Sequence, residues 1–312
     1  MCAGVDHLIS ARLRLNLPID HFIDVGGDIN IHVVDSDYAG NVRIPLLCLP
    51  GLTRNARDFE PVFETFASQR RIIAVDFRGR GLSTFAGDAS TYRPDVELAD
   101  TLAVLNALDV GRVAVLGTSR GGIVGMLMAH TARQNIVGLC LNDIGPAVEA
   151  AGLLRIMGYV GTAVQFRSWD EAATALAAVS QGFAAVAHQQ WLQVAKRIFC
   201  EADGVITHSH DLRLSQSLPP IEDVREGKLA DLWSLVPALQ KMPIALLRGT
   251  GSDLLSVATV ERMQSELQHL SVTEVANRGH VPFLDEPESV AAITSWLAEV
   301  DANKKARTNR AF

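Results

Sequence analysis

The sequence predicts an α/β fold, a mostly parallel sheet with helices on both faces, interrupted by a helical insertion. Three observations lead there. Short β-branched runs alternate with helix-periodic stretches through the first half of the chain, the pattern of a parallel sheet covered on both sides. From about 147 to 235 there is no convincing strand, and alanine-rich helical stretches dominate. Strand–helix alternation then resumes from Ile244.

Taken in order, His21 to Val25 and Ile29 to Val34 flank Gly26-Gly27-Asp28, a hairpin signal. Ile44 to Leu49 is the next strand and ends at Pro50-Gly51. A helix around Phe59 to Ser68 follows, then the strand Arg71 to Val75. Helical periodicity spans Val96 to Leu108, and Arg112 to Leu116 is a strand leading into a glycine-flanked serine. Ile136 to Leu141 closes the first half at Asn142-Asp143-Ile144-Gly145-Pro146. Helices at Glu171 to Val179 and Phe183 to Phe199 mark the insertion. Ile244 to Leu247, a helix near Val257 to Gln268, the strand Val272 to Val275 and a last helix from about Glu288 to Val300 complete the pattern. The expected organisation is an N-terminal segment 1–20, an α/β core of 21–146 and 236–300, a helical cap 147–235 and a flexible tail 301–312.

With 312 residues, 48% of them hydrophobic and 20% charged, the chain has material for one large core. A net charge of −7, with no basic cluster before the tail, argues against nucleic acid as a partner. The four cysteines are scattered, and two fall in expected buried strands, so they read as reduced core residues. Residues 1–20 lack the apolar segment of a signal peptide, and no apolar run reaches membrane-spanning length. The expectation is a soluble cytoplasmic protein with no membrane partner, a monomer or a homodimer.

The chemistry starts at Ser119. Gly117-Thr118-Ser119-Arg120-Gly121 directly follows the apolar run Val113-Ala114-Val115-Leu116 and directly precedes a helix-periodic stretch. A Gly-x-Ser-x-Gly turn between strand and helix holds its serine in a strained conformation that projects the hydroxyl clear of the sheet. Glycines belong on either side because side chains there would strike neighbouring backbone. A serine hydroxyl is a feeble nucleophile near neutral pH, so it needs a base, and the base needs an orienting acid. Of nine histidines, His280 alone lies in a loop between the last expected strand and the last helix, beside Gly279. Asp253 is the expected acid, presented by the turn Arg248-Gly249-Thr250-Gly251-Ser252 at the C-terminal edge of the sheet, where such sheets collect ligands. Asp143, after the strand ending at Leu141, is the runner-up, with a loop or capping role as its alternative. An oxyanion needs two donors. The backbone N–H groups of Arg120 and Leu52 are the candidates, with Arg54 and Asn55 nearby in the same loop. The Arg120 side chain has two readings, a pair with a carboxylate such as Asp143 or a contact to an anionic substrate.

Two other motifs read as structural. Asp76-Phe77-Arg78-Gly79-Arg80-Gly81-Leu82-Ser83 lacks the spacing of a phosphate-binding loop and suits a turn rich in buried hydrogen bonds. His208-Ser209-His210-Asp211 has too few ligands for a metal site, so no metal is expected. Phe166, Trp169, Phe183, Trp191 and Phe199 have the spacing of core residues of the insertion, with some left to face an acyl pocket.

Together Leu49-Pro50-Gly51, Asp76 to Gly81, Gly117 to Gly122, Gly249 to Asp253 and Gly279-His280 resemble the α/β-hydrolase superfamily, in its capped, esterase-like branch, over roughly residues 21 to 300. The resemblance implies an eight-stranded, mostly parallel sheet, a lid inserted after the sixth strand (here Ile136 to Leu141) and Ser-His-Asp hydrolysis without a cofactor. One departure is that the loop that usually reads His-Gly is Pro50-Gly51 here. Haloalkane dehalogenases and epoxide hydrolases place aspartate where Ser119 stands, so those activities are not expected. The resemblance implies a serine hydrolase for a small ester or lactone. The alternatives are hydrolysis of a C–C bond in a ring-cleavage product, or a slow-turnover ligand receptor on the same fold; perhydrolysis is a possible side activity.

Overall fold

The computed structural model describes residues 18–38 and 43–308. Residues 1–17, which hold most of the expected N-terminal segment, and the last four residues of the expected tail lie outside the described residues.

The strands are β1 (Ile19–Asp24), β2 (Asn30–Asp35), β3 (Leu46–Leu49), β4 (Ile72–Val75), β5 (Val113–Thr118), β6 (Ile136–Asn142), β7 (Phe199–Ala202), β8 (Val205–His208), β9 (Ile244–Gly249) and β10 (Leu270–Val275). Eight of them form one sheet in the order β1-β2-β4-β3-β5-β6-β9-β10. Only β2 runs against its neighbours; the pairs from β4 to β10 are parallel. This is the mostly parallel sheet that the sequence pattern predicted, with the eight strands that the resemblance implied. Strand β5, which leads into Ser119, sits near its centre, between β3 and β6.

Strand alternation builds two cores, because successive side chains point to opposite faces. Leu47 and Leu49 of β3, with Val113 and Val115 of β5, join one cluster. Leu46, Cys48, Ala114 and Leu116 join the other. The first is covered by α2 (Pro94–Ala107), α3 (Arg120–Thr131) and α8 (Val257–Glu266), through residues such as Val104, Val124 and Met263. The second is covered by α1 (Glu60–Phe66) and α9 (Pro287–Thr308), through Val62, Phe66, Ile293 and Trp296. Cys48 and Cys140 are free and buried in this second cluster, where desolvation pushes both thiols up.

The segment between β6 and β9 carries α4 (Ala150–Met157), α5 (Trp169–Val179), α6 (His188–Ile198) and α7 (Ile221–Arg225). It also holds an antiparallel hairpin, β7–β8, which the sequence reading missed. Each of these strands has four residues, too few for an alternation signal, and they turn at Asp203-Gly204. The segment has its own core of Ala172, Trp191, Val194, Phe199 and Ile206, which Phe283 of the histidine loop completes. The aromatic residues are therefore core there: Phe183 stacks on Phe283 at 5.1 Å, and Trp191 meets both edge-on. A 3-10 turn, Trp233–Leu239, leads out of the segment, and its Leu235, Val236 and Leu239 belong to the main core. The expected flexible tail is helical as far as Thr308, since α9 continues through 301–308. Among the described residues, no helix is long and apolar enough to cross a membrane.

Candidate active site

Ser119 occupies the turn between β5 and α3 with φ 49° and ψ −113°, a conformation in which a non-glycine residue is strained. The turn needs its glycines because backbone passes so close. A β-carbon at Gly117 would fall 2.6 Å from the Gly121 carbonyl, and one at Gly121 would fall 2.0 Å from the Leu49 carbonyl oxygen. The Ser119 turn is thus pressed against the end of β3. The Ser119 N–H donates to the Asn142 carbonyl at 3.0 Å, which ties the turn to β6 as well.

His280 reaches Ser119 from the loop between β10 and α9. Its Nε2 lies 2.9 Å from Ser119 Oγ. The loop is held by Asn142, whose side-chain N–H donates to the Pro282 carbonyl at 3.1 Å and to Thr118 Oγ1 at 3.2 Å. It is also held from the inserted segment, where the Ala184 N–H donates to the Asn277 carbonyl at 3.1 Å.

The acid that meets His280 is Asp143, not Asp253. Asp143 follows β6, is fully buried, and sets Oδ2 2.8 Å from His280 Nδ1. The turn after β9, expected to present Asp253, instead sends two donors to Asp143. The Gly249 N–H donates to Oδ1 at 2.9 Å and the Ser252 hydroxyl to Oδ2 at 2.6 Å. Asp253 lies one residue further and turns to Arg155 of α4, forming a two-pronged pair at 2.5 and 2.8 Å. Burial acts to raise the Asp253 pKa, but the Arg155 guanidinium outweighs it and leaves the carboxyl below its ordinary value. Both acids lie at the same sheet edge and preserve the order Ser…Asp…His, so spacing alone does not separate them. What separates them is Arg155, which belongs to the inserted segment and claims one of the two.

The expected donor residues Leu52 and Arg120 also come to this edge. The turn after β3 is closed by the Arg54 N–H donating to the Gly51 carbonyl at 3.2 Å, which leaves the Leu52 N–H outside that bond. A β-carbon at Gly51 would lie 3.8 Å from Ser119 Cβ, so this turn passes close beside Ser119. Arg120 is the first residue of α3, where a backbone N–H has no acceptor within the helix. The Arg120 side chain pairs neither with Asp143 nor with open solvent. Its Nε donates to Glu97 Oε2 at 2.7 Å and its Nη2 to the Tyr92 carbonyl at 2.9 Å. Glu97 was not singled out in the sequence, where it is one acid among the first-turn residues of α2. Arg54 pairs with Asp58, and Asn55 donates to the Arg197 carbonyl and to Ser209.

The two motifs read as structural are occupied internally. Asp76 accepts from the Ala56 and Leu82 N–H groups and lies 2.7 Å from His32 Nδ1. His208 Nε2 meets the Thr162 carbonyl at 3.0 Å, and Asp211 accepts from the Tyr92 hydroxyl at 2.6 Å.

A hydroxyl, an imidazole and a buried carboxylate in line, beside the first backbone N–H of a helix, is an arrangement that can activate serine and receive an oxyanion. Comparison with known proteins agrees on the lineage. Residues 46–293 match the model of the alpha/beta hydrolase family. The chain belongs to that family. This alpha/beta hydrolase is 31% identical to the 3-hydroxybutyrate-oligomer hydrolase of Cupriavidus necator, over 80% of its own length and 87% of the relative's. It is 26% identical to a proline iminopeptidase of Lactiplantibacillus plantarum, over 83% of its length and 93% of that protein's. Among solved structures, an alpha/beta hydrolase from Novosphingobium aromaticivorans superposes with a TM-score of 0.83 at 36% identity, covering 90% of this chain and 98% of that one.

Proposed function

We propose that this alpha/beta hydrolase is a serine esterase acting on small carboxylic esters or lactones, with Ser119 as nucleophile, His280 as base and Asp143 as orienting acid. The observation that carries this reading is the unbroken relay from Ser119 Oγ to His280 Nε2 at 2.9 Å and from His280 Nδ1 to Asp143 Oδ2 at 2.8 Å. Ser119 Oγ attacks the ester carbonyl as its proton passes to His280 Nε2. Asp143, which accepts from Nδ1–H, fixes the tautomer and favours the imidazolium that forms. The Leu52 and Arg120 N–H groups receive the oxyanion. Collapse breaks the C–O bond to the alcohol, which leaves with the proton from Nε2. Water then repeats the steps on the acyl-enzyme and frees the acid and Ser119.

Esters of short hydroxy acids head the candidates, because the C. necator relative is named for hydrolysis of a hydroxybutyrate oligomer and matches most of this chain. The segment between β6 and β9 acts in this reading as a cap over the acyl site. The testing experiment is turnover of p-nitrophenyl esters of increasing acyl length and of 3-hydroxybutyrate dimers, by wild type and Ser119→Ala. Turnover of short esters, falling by a factor of about 10⁴ to 10⁶ in Ser119→Ala, is expected. Ester turnover that survives the substitution would overturn the mechanism. A wild type inert on every ester would overturn the esterase reading and turn attention to C–C bond hydrolysis.

A further inference from the structure

We infer that Glu97 is a positioning residue for the oxyanion site, a single buried carboxylate that anchors both of the residues whose N–H groups receive the oxyanion. This rests on the serine-hydrolase reading of Ser119 and goes beyond it.

Glu97 lies in the first turn of α2 and is wholly buried. One carboxylate oxygen forms an ion pair with Arg80 Nη2 at 2.8 Å, and the other accepts from Arg120 Nε at 2.7 Å. Each arginine leads to one donor residue. Arg80 is itself wholly buried, and its Nε donates to the Leu52 carbonyl at 2.8 Å while its Nη1 donates to the Arg78 carbonyl at 2.6 Å. Arg120 is the residue after the nucleophile. The carbonyl side of Leu52 and the side chain of Arg120 are therefore referred to one anion.

The electrostatics point to placement more than to stability. Burial works to raise the Glu97 pKa, but Arg80 and Arg120 outweigh it and hold the carboxyl below its ordinary value. Burial lowers the Arg80 pKa, and Arg120 adds to that while Glu97 opposes it. Two cations sharing one anion in a dry site is an expensive arrangement, and buried ion groups of this kind are weak contributors to stability compared with apolar packing. What such a group supplies is fixed geometry. Oxyanion donors act only when they are aimed in advance at about 2.7–3.1 Å from the developing charge, within about half an ångström of the productive position. The turn that carries Arg80 is clamped from the inserted segment too. The Gly81 N–H donates to the Ser209 carbonyl at 2.6 Å, and the Asp211 N–H donates to the Gly79 carbonyl at 2.8 Å. The oxyanion turn, the nucleophile turn and the segment above them thus share one buried frame.

The test measures two rates: phosphonylation of Ser119 by a fluorophosphonate probe, which needs no knowledge of the natural substrate, and turnover of p-nitrophenyl butyrate. Wild type is compared with Glu97→Gln, Arg120→Gln and Arg120→Lys, with Ser119→Ala as the blank. Glu97→Gln should slow labelling and kcat by about ten-fold or more, as loss of well-aimed oxyanion donors does. Its KM should stay within about two-fold of wild type. The pH midpoint of the labelling rate should not move, because the His280–Asp143 pair is untouched. Arg120→Gln should lower kcat by about five-fold or more, while Arg120→Lys, which keeps a cation beside Glu97, should retain most of it. If Glu97→Gln does not fold, the Arg120 variants decide alone. Folded Glu97→Gln with wild-type rates, equal rates in Arg120→Gln and Arg120→Lys, or a loss spread over kcat, KM and the pH midpoint together would each overturn the positioning role. An unlabelled wild type with no ester turnover would end the serine reading and this inference with it. A labelled, active wild type with an unimpaired Glu97→Gln would end this inference alone.

Discussion

Asp143 and His280 stand 137 residues apart in the chain and meet at 2.8 Å. The acid comes from the end of β6, the strand beside β5, and it is held by three donors at once: His280 Nδ1, the Gly249 N–H and the Ser252 hydroxyl. A carboxylate so held is fixed in direction as well as in place. The β9 turn, which the sequence marks as the source of the acid, contributes instead to steadying an acid from the next strand.

The Ser119 turn has no room for a side chain at Gly121, because a β-carbon there would sit 2.0 Å from the Leu49 carbonyl oxygen, a backbone atom that cannot step aside. Gly121→Ala must therefore move β3 or the turn. The expected result is a stability loss of about 2–4 kcal/mol in denaturant titration, with activity in the folded fraction reduced because the turn after β3 also carries Leu52. Unchanged stability would mean that the two backbones are not in this close contact.

His210 links stability to pH. Burial is the largest influence on it, and with His208 and Arg80 nearby it pushes the His210 pKa from 6.5 down to about 3. The folded form therefore holds this imidazole neutral while the unfolded chain takes up a proton below 6.5. The sign follows: its contribution is complete above about pH 6.5 and is lost progressively as pH falls toward 3. Unfolding free energies at pH 7 and pH 5 are expected to fall more steeply in wild type than in His210→Gln, by up to about 1.4 kcal/mol per pH unit. Equal pH slopes in the two proteins would contradict a buried neutral His210.

Much of this was legible in the sequence because it depends on local pattern. The run Val113 to Leu116 followed by Gly117-Thr118-Ser119-Arg120-Gly121 specifies strand, turn and helix within a dozen residues, and the structure has all three. His280 was identifiable from its place between the last strand and the last helix. The Asp76 to Ser83 turn was legible as a hub of buried hydrogen bonds. What was not legible depends on partners distant in sequence. Choosing between Asp143 and Asp253 requires knowing that Arg155 of the inserted segment lies beside one of them. Recognising Glu97 requires knowing that Arg80 and Arg120 converge on it from two different turns. The β7–β8 hairpin escaped notice because its strands are short and pack on Phe166 and on each other rather than in the main sheet.

The most direct test of the account compares Asp143→Asn with Asp253→Asn in steady-state hydrolysis of a short p-nitrophenyl ester. Asp143→Asn keeps the shape of the site but removes the acceptor that fixes the His280 tautomer, and kcat should fall by a factor of about 10⁴. Asp253→Asn breaks a half-buried pair with Arg155 that lies outside the Ser119–His280–Asp143 relay, so kcat should stay within about a few-fold of wild type, with a stability cost of about 1–3 kcal/mol. The reverse outcome, full activity in Asp143→Asn and collapse in Asp253→Asn, would contradict the assignment of Asp143 as the acid that orients His280.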